Sequence, residues 1–118
     1  MDYKELDVWN ESMELVKLIY LFSANFPASE QFGLTSQIRR AAIYVPSNIA
    51  EGVGRNHTKD TLQFLYIAWG SLYEIETQLI IANEMFDIAS NNFDEIFPKL
   101  QSTKMLINGF INYNKKKI

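Results

Sequence analysis

Residues 58–89 form one long helical pattern with apolar side chains on more than one face, and this pattern constrains the fold most. One row repeats every three or four residues, as a bundle seam does. It contains Phe64, Ala68, Leu72, Ile75, Leu79, Ala82 and Phe86. A second row lies about 120° away around the helix. It contains Leu62, Tyr66, Trp69, Tyr73 and Ile80. A four-helix bundle buries one seam per helix, so the second row predicts a subunit contact.

Three further helical patterns accompany this one. They cover residues 7–25, 34–52 and 92–113, and turns with proline, glycine or asparagine separate them. The expected N-terminal caps are Asp7, Thr58 and Asn92, and Pro46 predicts a kink in the second helix. No alternation typical of strands occurs. The sequence therefore predicts an all-α, antiparallel up-down-up-down four-helix bundle in which residues 1–118 form a single domain.

Composition narrows the functional classes. The absence of cysteine excludes disulfides, thiolate nucleophiles and cysteine-based zinc sites. No apolar run approaches the roughly 18 residues of a membrane span, and the N-terminus is too polar for a signal peptide, so we expect a cytoplasmic protein without a membrane partner. The net charge of −3 argues against a dedicated nucleic-acid binder, although it leaves room for a local basic patch.

Polar side chains next to the apolar stripe of helix 2 are the first candidate site. With one residue from helix 3, this polar cluster comprises Gln37, Arg40, Asn48, Glu51 and Glu74. One interpretation is a ligand or catalytic surface anchored by Arg40. The favoured alternative is a hydrogen-bonded network that borders the core or a subunit interface, together with ordinary solvated charge. A Glu74 buried opposite Arg40 is a further alternative that the sequence leaves open. The single histidine, His57, lies in a polar turn without further metal ligands at suitable spacing. We therefore expect no catalytic residue, no metal, no cofactor and no small-molecule substrate.

Basic residues are the second candidate site. Arg39, Arg40, Arg55 and Lys59 follow helix 2 and the next turn, and a run of lysines closes the sequence. They predict either a nucleic-acid patch or an ordinary solvated face. The fourteen acidic residues of the chain favour the solvated face.

Two strings in helix 2 resemble a known family. Residues 34–42 read LTSQIRRAA and residues 45–52 read VPSNIAEG, and residues 70–72 and 76–79 of helix 3 are similar to the same family's third helix. The family is that of bacterial four-helix-bundle proteins encoded in 23S rRNA intervening sequences. The resemblance implies an up-down bundle that assembles into a ring, a homopentamer, with no established enzymatic activity. The chain is also similar to accessory proteins of diversity-generating retroelements, which form pentamers and engage RNA and a reverse transcriptase.

Together these observations predict a non-enzymatic, self-associating bundle that acts as an oligomeric scaffold. The alternative is an RNA-binding adaptor whose partner is rRNA or a reverse transcriptase. Binding that weakens steeply with salt would favour the alternative.

Overall fold

The computed structural model describes residues 1–87 and 92–118. This part of the chain contains four α-helices and two short 3-10 helices. The α-helices are α1 (Asp7–Ser23), α2 (Leu34–Val53), α3 (Thr58–Met85) and α4 (Asn92–Lys115). The 3-10 helices, Tyr3–Glu5 and Ala28–Glu30, precede α1 and α2. The predicted all-α class is confirmed.

The helices form an elongated four-helix bundle with dimensions of 47 × 25 × 21 Å. Each helix packs against the next one in the chain, and α1 packs against α4, so the bundle closes on itself. Short connections make consecutive helices antiparallel. The N-terminus of α3 and the C-termini of α2 and α4 therefore lie at one end of the bundle.

The core consists of one apolar stripe from each helix. The predicted seam of α3 is confirmed, since Ala68, Leu72, Ile75, Leu79 and Ala82 are fully buried. Phe64 and Phe86, at its two ends, are partly buried. On α2 the helix continues unbroken through Pro46, which is itself buried. The remaining core side chains come mainly from α1 and α4, including Leu15, Ile19, Leu100 and Ile107.

The four helices begin at the predicted residues, but their C-terminal ends differ from the sequence prediction by one to four residues. Leu6 and His57 occupy the N-cap positions of α1 and α3, so the prediction of Asp7 and Thr58 as caps was wrong by one residue in each case. Helix α3 ends at Met85 rather than near residue 89, and residues 88–91 lie outside the described part. The side chain of Asn92, the third predicted cap, also lies outside it.

The turn between α2 and α3 depends on a close approach at Gly52. A Cβ atom added there would lie 3.1 Å from both the Thr61 carbonyl oxygen and the Phe64 Cβ atom. The Thr61 hydroxyl donates a hydrogen bond of 2.7 Å to the Gly52 carbonyl oxygen, which closes the turn. Gly52 therefore does more than end a helix, because it lets α2 and α3 pack closely.

Candidate interaction surfaces

The second apolar row of α3 divides into buried and exposed members. Tyr66, Tyr73 and Ile80 are each 46% exposed, as a surface for another chain requires. Leu62 is buried in the core of the single chain, so its prediction as an interface residue was wrong. Trp69 is partly buried and packs against the core, so it offers a partner less surface than expected. Packing within a single chain therefore explains two of the five predicted interface residues, Leu62 and Trp69.

Other exposed apolar side chains extend this surface away from the predicted row. Ile67, Ile81 and Met85 are 47%, 42% and 71% exposed, and they share the side of α3 that faces away from the bundle. We call the exposed residues Tyr66, Ile67, Tyr73, Ile80, Ile81 and Met85 the outer face of α3. Exposed polar residues such as Glu74 and Thr77 lie between these side chains, but so many large apolar groups on one helix face favour a binding role.

Gly70 lies in the middle of the outer face, and the sequence prediction overlooked it. A Cβ atom added there would have no neighbour within 4 Å, so the folded chain itself does not require glycine. Glycine inside a helix costs about 0.5–1 kcal/mol relative to alanine. The sequence signal was present, namely a glycine within an otherwise uninterrupted helical pattern.

Cations of α4 cover one edge of the outer face. The Lys104 ammonium lies 4.2 Å from the centre of the Tyr73 ring and 2.9 Å from the Glu76 carboxylate. Lys115 lies 5.8 Å from the Tyr66 ring centre. These contacts hold the two tyrosine rings beside α4 and leave about half of each residue exposed.

The predicted nucleic-acid patch is split between the first half of α2, which holds Arg39 and Arg40, and the region beyond its C-terminus, which holds Arg55 and Lys59. Arg39 and Arg55 are separated by about 24 Å along the helix axis, at 1.5 Å per residue. Arg39 is used inside the chain, where it donates hydrogen bonds of 2.7 Å to the Ser23 hydroxyl and 3.3 Å to the Tyr20 carbonyl oxygen. Arg40 and Lys59 are exposed. The four predicted residues therefore do not form one continuous surface.

Arg55 instead belongs to the end of the bundle. Its guanidinium pairs with the Glu51 carboxylate at 3.0 Å and lies 4.6 Å from the Phe64 ring centre. Arg55 and Lys117 line the same cavity of about 210 Å³, beside the first turn of α3. Of the C-terminal lysines, Lys117 therefore lies beside Arg55 rather than beside Arg39 and Arg40.

The predicted polar cluster does not assemble. Arg40 and Glu74 are both exposed, which excludes the alternative of a Glu74 buried opposite Arg40. Asn48 donates to the Tyr44 carbonyl oxygen at 2.7 Å, and Glu51 pairs with Arg55. Gln37 is exposed. Within residues 1–87 and 92–118, no hydrogen bond or ion pair joins two of the five predicted residues.

A charged network instead joins α1 to α4. The Lys99 ammonium lies 3.1 Å from Glu11 and 2.7 Å from Glu14, and the Ser102 hydroxyl donates to Glu11. Hydrogen bonding to Lys99, and then its positive charge, hold the pKa of Glu14 below its ordinary value. The hydrogen bonds to Glu14 and Glu11 raise the pKa of Lys99. These groups stabilise the seam by modest amounts, since all three still reach solvent and Glu14 is more than half exposed.

Metal sites and membrane-spanning helices are both absent from the described residues. No three metal-ligating side chains come together within them. None of the four helices, over the part that is described, is long and apolar enough to cross a membrane.

Comparison with known proteins identifies the family. The model of the family described as "23S rRNA-intervening sequence protein" matches residues 4–109. The chain belongs to this family. No curated protein matches the sequence. A solved structure from Bacteroides thetaiotaomicron, described as a protein of unknown function from the S23 ribosomal protein family, has the same fold with a TM-score of 0.76. It is 23% identical, and the match covers 88% of this chain and 97% of that one.

Membership of the 23S rRNA-intervening sequence protein family agrees with the family-like strings in α2 and α3. The solved relative supports the bundle fold. Neither comparison describes an activity, a partner or a number of subunits for this chain.

Proposed function

We propose that this member of the 23S rRNA-intervening sequence protein family is a non-catalytic scaffold that self-associates through the outer face of α3. The observation that carries the proposal is the exposure of five large apolar side chains on that face, each 42–47% exposed: Tyr66, Ile67, Tyr73, Ile80 and Ile81. Burying the exposed part of each would contribute about 1 kcal/mol before the cost of association. A contact of this size needs an extended partner surface. A second copy of the chain is the simplest partner, because it is always present at the same concentration.

Gly70 supports the same proposal independently. Its position in the middle of the outer face allows another backbone to approach closely, and nothing within the folded chain uses that space. Glycine destabilises the isolated helix, but in the assembly it would allow the close packing of a second chain.

The variant Ile80→Asp tests the proposal. A carboxylate buried within the contact is costly to desolvate, so we expect the variant to remain monomeric at tens of micromolar while the original protein assembles. Sedimentation velocity or light scattering gives the mass of each. Met105→Asp is the matched control, because Met105 is 76% exposed on α4, away from the outer face, and its replacement should leave assembly unchanged. A strictly monomeric original protein, or an Ile80→Asp variant that assembles normally, would refute the proposal.

RNA binding is a second candidate function, and the convergence of Arg55 and Lys117 on one cavity favours it. Lys59, in the first turn of α3, adds a further cation at this end of the bundle. The exposed acidic residues Glu51 and Asp60 lie nearby and offset part of this charge.

The salt dependence of binding tests this candidate. Affinity for a single-stranded RNA and for a structured 23S rRNA fragment should fall steeply with salt, and each lost phosphate contact should reduce the logarithmic slope by about 0.7 for the single strand. Lys59→Ala should reduce the slope, whereas Lys17→Ala, on α1, should not. Undetectable binding at low salt, or equal effects of both variants, would exclude this end of the bundle as an RNA site.

A further inference from the structure

We infer that the outer face of α3 docks into a groove over the α1–α2 seam of a second copy, so that unlike surfaces meet in the assembly. This inference rests on the proposed self-association and adds the identity of the partner surface. The groove has a volume of about 460 Å³. Its lining includes Tyr20, Phe32, Arg39, Arg40, Ile43 and Tyr44.

Large apolar side chains line part of the groove, beside the polar residues Gln31, Thr35 and Ser36. Phe32 is 90% exposed at the turn before α2, so this large aromatic ring contributes almost nothing to the core of its own chain. Ile43 and Tyr44 on α2 are 41% and 47% exposed. Aromatic side chains in such positions gain the most free energy when a partner covers them. The groove therefore contains exposed aromatic and aliphatic residues of the kind found on one side of a protein–protein interface.

The floor of the groove is fixed by Arg39. Its side chain is held by the Ser23 hydroxyl and the Tyr20 carbonyl oxygen, and its guanidinium carbon lies 4.5 Å from the centre of the Tyr20 ring. A side chain that is already ordered loses little further entropy when a partner binds. The groove is thus preorganised on the side formed by α1.

Arg40 supplies an uncompensated positive charge at the rim. Within residues 1–87 and 92–118 it forms no ion pair and no hydrogen bond, and it is exposed. A second copy that enters the groove would need a carboxylate near its apolar side chains in order to pair with this guanidinium.

The outer face of α3 has this combination of groups. Glu74 and Glu84 are exposed on the same side of α3 as Ile81 and Met85, and no cation pairs with either of them in the described part of the chain. The C-terminal half of the outer face therefore combines apolar side chains with carboxylates, and the groove combines apolar side chains with guanidiniums. This complementarity in charge selects the groove, rather than a second outer face, as the partner surface.

Contacts between unlike surfaces have a direct consequence for assembly. Each copy offers one groove and one outer face, so each joined copy leaves a free groove at one end and a free outer face at the other. Such heterologous contacts build rings when the rotation closes, and open filaments when it does not.

Mixing two variants tests the inference. Phe32→Asp removes the groove and keeps the outer face, whereas Ile80→Asp removes the outer face and keeps the groove. We expect each variant alone to be monomeric at tens of micromolar, because every contact in the assembly needs one surface of each kind. An equimolar mixture should form a heterodimer with one subunit of each variant, which native mass spectrometry identifies by its mass.

The outcomes separate this inference from the proposed self-association. If Phe32→Asp assembles like the original protein, or if the mixture stays monomeric, the groove is not the partner surface, although the outer face can still mediate association. If the original protein does not assemble at all, the proposed function fails first. Met105→Asp mixed with Ile80→Asp serves as the control for assembly through intact surfaces, since Met105 belongs to neither surface.

Discussion

Replacing Leu72 with alanine is expected to lower the free energy of unfolding by about 2.5–5 kcal/mol. Leu72 is fully buried at the centre of the α3 seam, where all four helices contribute core side chains. Truncation removes buried methyl groups and leaves a cavity that rigid helices on every side cannot fill. Since small domains have a total stability of about 5–15 kcal/mol, the loss is a large fraction of the whole.

Chemical denaturation of Leu72→Ala and of a matched variant measures this effect. Leu21→Ala makes the same substitution at a residue that is 57% exposed on α1, so its stability should change by less than about 1 kcal/mol. Leucine and alanine are both good helix formers, and the difference between the two variants therefore reports burial rather than helix propensity. Equal losses for both variants would show that Leu72 does not occupy the core.

Replacing Gly70 with alanine is expected to have opposite effects on folding and on assembly. The isolated chain should gain about 0.5–1 kcal/mol of stability, because alanine restricts the unfolded backbone and its methyl group meets no neighbour. The assembled protein should dissociate at least about tenfold more readily, which corresponds to roughly 1.4 kcal/mol, because the methyl group separates two closely packed surfaces.

Gly109→Ala is the control for this pair of effects. Gly109 is another helical glycine with open space around its position, but it lies on α4, away from both the outer face and the groove. It should show the same gain in thermal stability without a change in the dissociation constant measured by sedimentation. A Gly70→Ala variant that assembles as tightly as the original protein would exclude a close helix contact at this position.

The buried seams could be predicted from the sequence because their spacing repeats over many residues. In α3 every predicted seam residue from Ala68 to Ala82 is buried, and the same regularity predicted the number of helices and their order. Helix ends were less accurate. Leu6 and His57 are N-caps without a side-chain hydrogen bond, so the residues that usually cap helices gave the wrong signal by one position.

The surfaces were harder to predict, because exposure depends on which neighbouring helix lies above each residue. Leu62 was assigned to the surface from its angle on α3 alone, yet it is packed into the core of the bundle. Arg39 was assigned to a nucleic-acid patch, but its hydrogen bonds to α1 become visible only when the two helices are placed together. Phe32 was overlooked because a single aromatic residue in a turn has no periodicity.

Arg55, Lys59 and Lys117 lie at one end of an elongated bundle, while Glu84, Asp87 and Asp94 lie towards the other. Rotation about a single axis repeats each copy without inverting it, so a closed ring would have two chemically different rims. The first rim would repeat Arg55, Lys59 and Lys117 beside the carboxylates Glu51 and Asp60, and the other rim would repeat Glu84, Asp87 and Asp94. Such a particle has a direction, because its two sides present different groups to an approaching partner.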